Sequence, residues 1–307
     1  MAYEELSAIS VAVERGVAWA TIDHPPMNLW DRAFTGDLVG LIGGFEHDDA
    51  SRVLVLASAD PDFFIAHADV QMIRDMPADA QGAPGEPAPV NRLLERLRLM
   101  PKVSIAAIGG IARGGGSEIA LACDMRIAAR SARLNQPEVA LGIIPGAGGT
   151  QRLTRLVGRA RALEIILGCA DVSGDEAAAI GYVNRVVDDD QLVPVVRALA
   201  ERIAAQPVAA VAAAKAAVNA VGDDADAGFA VEAESFRGSL TDDARQRMQR
   251  FLDAGGQTRE GERDLDPLIE KLDGAEANDR DAGTLRQQAG RRGGVVRPGP
   301  QGRERTR

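Results

Sequence analysis

"IARGGGSEIALACD", residues 111–124, decides how the rest of the chain is read. Gly114, Gly115 and Gly116 run together and are followed by Ser117, Glu118 and an apolar run. Immediately upstream, "VSIAAIGG" (103–110) has the continuous apolar character of a buried strand. Strand, glycine turn and helix therefore follow one another. A helix start presents free N–H groups and the positive end of the helix dipole, which favour an anion. Glu118 puts a carboxylate at that same place.

The familiar glycine motifs do not fit. A Walker loop needs a lysine after the glycines, and none follows. The dinucleotide fingerprint lacks its third glycine, and Glu118 would repel a phosphate on the same amides. A nucleophile elbow needs glycine at 119, where Ile119 stands, although a Ser117–His67 pair stays conceivable. No HExxH is present to bind metal. An oxyanion site remains: glycines let backbone amides approach a carbonyl oxygen, while a carboxylate one turn on reaches a neighbouring carbon as general acid or base. That chemistry asks for a second carboxylate. "LNQPEVALGIIPGAGGTQRL" (134–153) offers Glu138, placed by Pro137 in a turn. A surface loop glutamate is the alternative.

Working outward, residues 8–23 alternate about Arg15-Gly16 and predict a β-hairpin. Trp30, Phe34, Leu38, Leu41, Ile42 and Phe45 share a helical face within 29–48, and 51–59 reads as a buried strand. Residues 77–90 form a Pro/Ala/Gly-rich loop expected to lie over a pocket; a helix then runs to Pro101. Strand 125–129 precedes a helix at 150–168, with Leu153, Leu156, Val157, Leu163, Ile166 and Leu167 inward. Ser173 and Glu176 have capping-box spacing in a helix over 173–181, and "YVNRVVD" returns as a strand. Helices are expected at 190–205, 207–221 and 225–253. The alternation defines an α/β protein with a helical C-terminal part.

Composition narrows the function classes. The 307 residues are 46% hydrophobic with a net charge of −10, so a large core is available and nucleic acid is not an expected partner. Cys123 and Cys169 stand apart in apolar surroundings and read as buried thiols. The N-terminal "MAYEELSAIS" is not a signal peptide, and no apolar run reaches the ~18 residues of a membrane helix. A cytoplasmic location without membrane partners is the expectation.

Five blocks in order resemble the crotonase superfamily, the enoyl-CoA hydratase/isomerase family. They are "PPMNLWD" (25–31), "FFIAHAD" (63–69), "GGIARGGGSEIALACDMRIAA" (109–129), "QPEVALGIIPGAGGTQRLTRLVG" (136–158), and "SGDEAAAIGYVNRVV" (173–187) followed by "TDDARQRMQRFL" (241–252). The resemblance implies a crotonase-like spiral of ββα units over 1–200 and a helical trimerisation region over 201–253. Residues 254–307 are then a Gly/Arg-rich tail, expected to be disordered and plainest from Gly274 on. It also implies an acyl-CoA thioester substrate, a homotrimer or hexamer, and no cofactor beyond the coenzyme A of the substrate. By motif, the oxyanion donors fall on Ala66 and Gly115, the catalytic carboxylates on Glu118 and Glu138, and substrate contacts on Ala68, Asp69, Gly114, Pro137 and Gly146. Hydration of an enoyl-CoA is the leading reading. A Δ3,Δ2-enoyl-CoA isomerase, another crotonase-type lyase or hydrolase, and a non-catalytic acyl-CoA-binding scaffold are the alternatives. Two positions depart from the pattern. His67 replaces the usual glycine beside the expected donor, either packing away or reaching the site as a proton donor. Arg113 precedes the glycines, either contacting a CoA phosphate or lying on the surface.

Overall fold

The computed structural model describes residues 3, 6–77, 83, 85–219, 233, 236–238, 240–265, 267–269 and 271–272. The hairpin forms as expected: β1 (Ile9–Glu14) pairs antiparallel with β2 (Val17–Ile22), and Arg15 and Gly16 take φ of 52° and 76°. Two positive φ values in a two-residue connection match the twist of the flanking strands. Asp31 then caps α1 (Arg32–His47), its Oδ1 accepting the Phe34 N–H at 2.8 Å. Phe34, Leu38, Leu41, Ile42 and Phe45 are all buried on one face.

A repeating unit follows. β3 (Val53–Ser58) enters a large sheet, β4 (Phe63–Ile65) a small one, and α2 (Val70–Arg74) and α3 (Pro89–Leu99) return the chain. β5 (Val103–Ile108), β6 (Ile111–Arg113) and α4 (Gly115–Ala122) repeat it. β7 (Met125–Ala129), β8 (Arg133–Asn135), a 3-10 turn (Glu138–Leu141) and α5 (Gly149–Gly168) repeat it again. β9 (Val172–Ser173), α6 (Gly174–Ala179), β10 (Arg185–Val187), α7 (Leu192–Ala204), α8 (Val208–Asn219), α9 (Asp242–Asp253) and α10 (Arg259–Arg263) complete the described elements. Among the described residues the large sheet runs β1-β2-β3-β5-β7-β10 and the small one β4-β6-β8-β9. The ladders β2-β3-β5-β7-β10 and β4-β6-β8 are parallel. This is the expected spiral of ββα units.

Alternation along the parallel strands feeds two cores. Ala106 and Ile108 join Phe34, Leu94, Ile119 and Leu153 between the sheets and α1, α3, α4 and α5. Ile105 and Ala107 face the other way, against Leu192, Val196 and Ala200 of α7. Having apolar layers on both faces explains why β3 and β5 read as almost continuous apolar runs.

Two expectations need correction. α5 is interrupted at Gly158, whose φ of 77° is not helical. The apolar stripe therefore does not continue across it, and Leu156, Leu163 and Leu167 are exposed rather than inward. The described residues between 254 and 272 do not belong to a disordered tail: α10 lies there, capped by Thr258, and Leu265, Leu268 and Leu272 are buried with Val70, Leu141, Met248 and Phe251. Of the helix expected over 225–253, most residues upstream of 240 lie outside the described residues, as does the tail from 273 on.

Candidate active site

α4 starts at the centre of the molecule, where β6 hands over to the glycines. Gly114 takes a φ of 47°, and a Cβ there would stand 2.7 Å from Glu138 Oε1. A side chain at 114 would thus be strained and would also strike the second carboxylate. Gly115 is the first residue of α4, so its N–H has no acceptor within the helix. Glu118 follows one turn later, buried, with Oε1 accepting the Ala147 and Gly149 N–H groups, each at 2.8 Å. Glu138 opens the 3-10 turn after β8 and is 8% exposed.

Glu118 and Glu138 border one cavity of about 590 Å³. Ala68, Gly115, Gly146 and Ala147 line its polar end together with Trp30. Met72, Ile73, Met76, Leu93, Ile143, Ile144 and Phe236 make most of the remainder apolar, with Arg32 and Thr35 also on its wall. Pro77, Pro89 and Val90 bring the two ends of the 77–90 segment to its wall. The site can therefore hold an apolar chain with two carboxyl groups and two backbone amides at one end.

The structure revises several sequence assignments. Ala66 does not reach the cavity. It is fully buried with Met27, Phe63 and Ile111, and its N–H donates to Met27 C=O at 3.3 Å. Ala68 lines the cavity instead. The His67 C=O accepts Trp30 N–H and the Asp69 N–H donates to Trp30 C=O, both at 2.9 Å. Extended-chain alternation turns the intervening Ala68 N–H the other way. The Ala68 nitrogen lies 3.3 Å from where a Cβ on Gly115 would stand. Asn28 sets this register: its Nδ2 donates to Phe63 C=O at 3.2 Å and Phe64 C=O at 3.1 Å, fastening the Asn28 turn to β4.

Asp69 is not at the cavity either. Its Oδ1 caps α2 by accepting the Gln71 N–H at 2.8 Å, and also accepts from Gln257 Nε2 at 2.9 Å. Gly114 and Pro137 border a second, smaller void that Glu138 shares. Arg113 takes neither expected position. It is fully buried, paired with Asp171 at 2.6 Å. His67 turns from the cavity toward the C-terminal segment, with Nε2 2.8 Å from Glu262 Oε1. Sequence reasoning missed Ala147 and Gly149 as supports of Glu118, though "PGAGG" (145–149) held the signal of a backbone packed too closely for side chains. A Cβ on Gly149 would meet Pro145 Cβ at 2.8 Å and Glu118 Oε1 at 2.9 Å.

Neither cysteine is placed for nucleophilic chemistry. Both are buried, and burial pushes the Cys123 thiol up to about 12. The Ser117 hydroxyl lies 2.5 Å from the Tyr182 hydroxyl, away from His67, so the Ser117–His67 pair does not form. Among the described residues, no helix is long and apolar enough to cross a membrane.

A ββα spiral with two carboxyls and two backbone amides beside one largely apolar cavity defines an enzyme of the crotonase class. Comparison with known proteins agrees. Residues 12–258 match the family described as enoyl-CoA hydratase/isomerase, and the chain belongs to it. It is 36% identical over 252 residues to a short-chain-enoyl-CoA hydratase of Clostridium acetobutylicum, covering 81% of this chain and 96% of the relative. It is 38% identical over 259 residues to a crotonyl-CoA hydratase of Syntrophomonas wolfei, covering 82% and 96%. Among solved structures, an enoyl-CoA hydratase of Bacillus anthracis superposes with a TM-score of 0.65 at 32% identity, over 80% of this chain and 96% of that one.

Proposed function

We propose that this chain is an enoyl-CoA hydratase that adds water across the 2,3 double bond of an enoyl-CoA. The observation that carries the reading is that Glu118 and Glu138, from separate elements, border one apolar cavity beside the Ala68 and Gly115 amides. In this reading those two N–H groups hold the thioester oxygen and stabilise the enolate that forms as water adds. Losing one such donor typically costs about 3–4 kcal/mol of transition-state stabilisation. Glu118, fixed by two backbone N–H groups, orients the water and takes its proton as oxygen bonds to the β-carbon. Glu138 delivers a proton to the α-carbon. The thioester itself acidifies that carbon, so the scheme calls for no cofactor beyond the coenzyme A of the substrate. The apolar wall accepts the acyl chain. A homotrimer or hexamer in the cytoplasm completes the reading.

The test is hydration of crotonyl-CoA and longer 2-enoyl-CoAs, followed by loss of the conjugated thioester absorbance. Glu118→Gln and Glu138→Gln should each lower kcat by at least ~100-fold, as expected for loss of general acid–base catalysis. Thioester binding without turnover at any chain length would remove the hydratase reading. Activity on 3-enoyl-CoAs that survives Glu118→Gln and is lost in Glu138→Gln would replace it with an isomerase.

A further inference from the structure

His67, Arg113 and Glu262 have no part in that scheme, yet they are ionisable groups buried beside it. All three side chains are 9% exposed or less. His67 is the neighbour of Ala68, and Arg113 stands two residues before Gly115. His67 Nδ1 lies 2.8 Å from Ala68 C=O, and its Nε2 2.8 Å from Glu262 Oε1. The same Oε1 also accepts the Gln257 N–H at 2.8 Å. Glu262 meets Arg113 twice: its C=O accepts from Nη1 at 2.6 Å, and its Oε2 lies 3.7 Å from that nitrogen. Arg113 also forms a two-pronged contact with Asp171, at 2.8 and 2.6 Å.

Hydrogen bonds fix the Nδ1 proton, and the charge state of Glu262 decides the Nε2 proton. A backbone carbonyl only accepts, so Nδ1 carries a proton. Burial opposes a charge on Glu262, but His67, the Gln257 N–H on Oε1 and Arg113 hold it as a carboxylate, and a carboxylate can only accept, so Nε2 carries a second proton. An imidazole donating from both nitrogens is an imidazolium. We infer that His67 and Glu262 form a buried imidazolium–carboxylate clamp that positions the Ala68 amide, with Arg113 tying the Gly115 strand to the same glutamate. The inference rests on the hydratase reading, because its target is the pair of amides that face the thioester.

The clamp acts through the peptide planes. Trp30 N–H holds His67 C=O, and the imidazolium holds Ala68 C=O. The Ala68 N–H lies between these two anchored carbonyls and cannot rotate independently. On the other strand, Arg113 N–H donates to Ala66 C=O at 3.2 Å and Gly114 N–H to Asn135 C=O at 3.0 Å. Glu262 thereby couples both donor segments to α10. The charged groups around the ring are Glu262, Arg113 and Asp171, with Asp69 reached through Gln257 and Glu138 across the small void; Phe251 packs edge-on. Burial alone would discharge the ring, but the adjacent carboxylate outweighs it and raises the His67 pKa. His67 and Glu262 are positioning residues: their effect belongs in kcat more than in KM, because oxyanion contacts strengthen in the transition state.

Two measurements test this. In long-range proton–nitrogen NMR spectra of the intact protein, which has three histidines, one ring absent from the spectrum of His67→Gln should keep both nitrogens protonated above neutral pH. A neutral His67 ring at pH 7 overturns the clamp, whatever the variants do. In crotonyl-CoA hydration, Glu262→Gln and His67→Gln should lower kcat by roughly tenfold or more, approaching the ~100-fold that misplacement of a reacting group costs, with a much smaller change in KM. In Glu262→Gln the alkaline limb of the kcat profile should move to lower pH. Folded variants with wild-type kcat and an unmoved limb overturn the inference and leave the hydratase reading intact. Wild-type protein that converts no enoyl-CoA overturns both.

Discussion

A single methyl group at position 149 addresses how Glu118 is held. The Gly149 N–H is one of two donors to Glu118 Oε1, and a Cβ on that residue would press on the same oxygen at 2.9 Å and on Pro145 at 2.8 Å. Gly149→Ala should therefore rotate the carboxyl away from its two amides while costing about 1–3 kcal/mol, the usual range for overpacking. The expected result is a large loss of kcat in a protein that still melts cooperatively. A variant with unchanged kcat would show that this seat does not set the carboxyl's position. Both carboxylates were legible in the sequence, because glycines beside an acid, followed by a second acid after proline, leave few chemistries. The choice between Ala66 and Ala68 was not. They are two residues apart in one segment, and which amide faces the cavity depends on the Trp30 bridge, a contact made across 37 residues of chain. His67 was legible as a departure, but its partner Glu262 lies 195 residues away.

The C-terminal segment was misread because its order comes from tertiary partners rather than local pattern, whereas α5 was misread at a local break, Gly158. α10 has five residues, too few for a persuasive periodicity. Its surroundings instead draw on Leu265, Leu268 and Leu272 buried against α2 and α9. Buried leucines contribute roughly 1.5–3 kcal/mol each, so a chain ending at Asp253 should lose several kcal/mol and also lose Glu262. Its melting temperature should fall sharply, with hydratase activity lost; a truncated protein of native stability and kcat would contradict the placement of this segment. The clamp also predicts a pH signature. His67 has a raised folded-state pKa, so its contribution is fully present below about 6.5 and disappears as pH rises through the raised value. Glu262 has a lowered one: burial opposes its charge, but His67 and the Gln257 N–H favour the carboxylate more strongly. Its contribution is present above about 4.5 and disappears as pH falls through the lowered value. The difference in melting temperature between wild type and Glu262→Gln should thus be widest near pH 6 and shrink at both ends. A difference independent of pH would mean that packing, not charge, makes the pair.

For the whole molecule, the exposed apolar side chains say more than the buried ones. Leu99, Leu156, Leu163, Leu167, Val208 and Val218 are all at least 36% exposed, with Leu167 at 61% and Val218 at 71%. Several of them fall in groups. Leu163 and Leu167 are one turn apart on the second half of α5, past the break at Gly158. Leu99 and Val218 each adjoin a residue of the Arg98–Asn219 hydrogen bond, which joins the end of α3 to the end of α8 at 3.1 Å. Leu156 and Val218 line one cleft with Lys215 and Arg155. Exposed apolar side chains grouped in this way give a partner surface to cover, and the proposed trimer or hexamer supplies copies of the same chain. Light scattering should then give three or six times the 32.3 kDa chain mass. Leu167→Asp and Val218→Asp each place a carboxylate on one of these exposed groups without touching the cavity or the clamp. If the patch closes the oligomer, at least one of them should lower the mass toward a single chain while far-ultraviolet circular dichroism stays unchanged. Native mass for both variants, or a wild-type protein that is already monomeric, would detach this surface from assembly and leave α8 in need of a different partner.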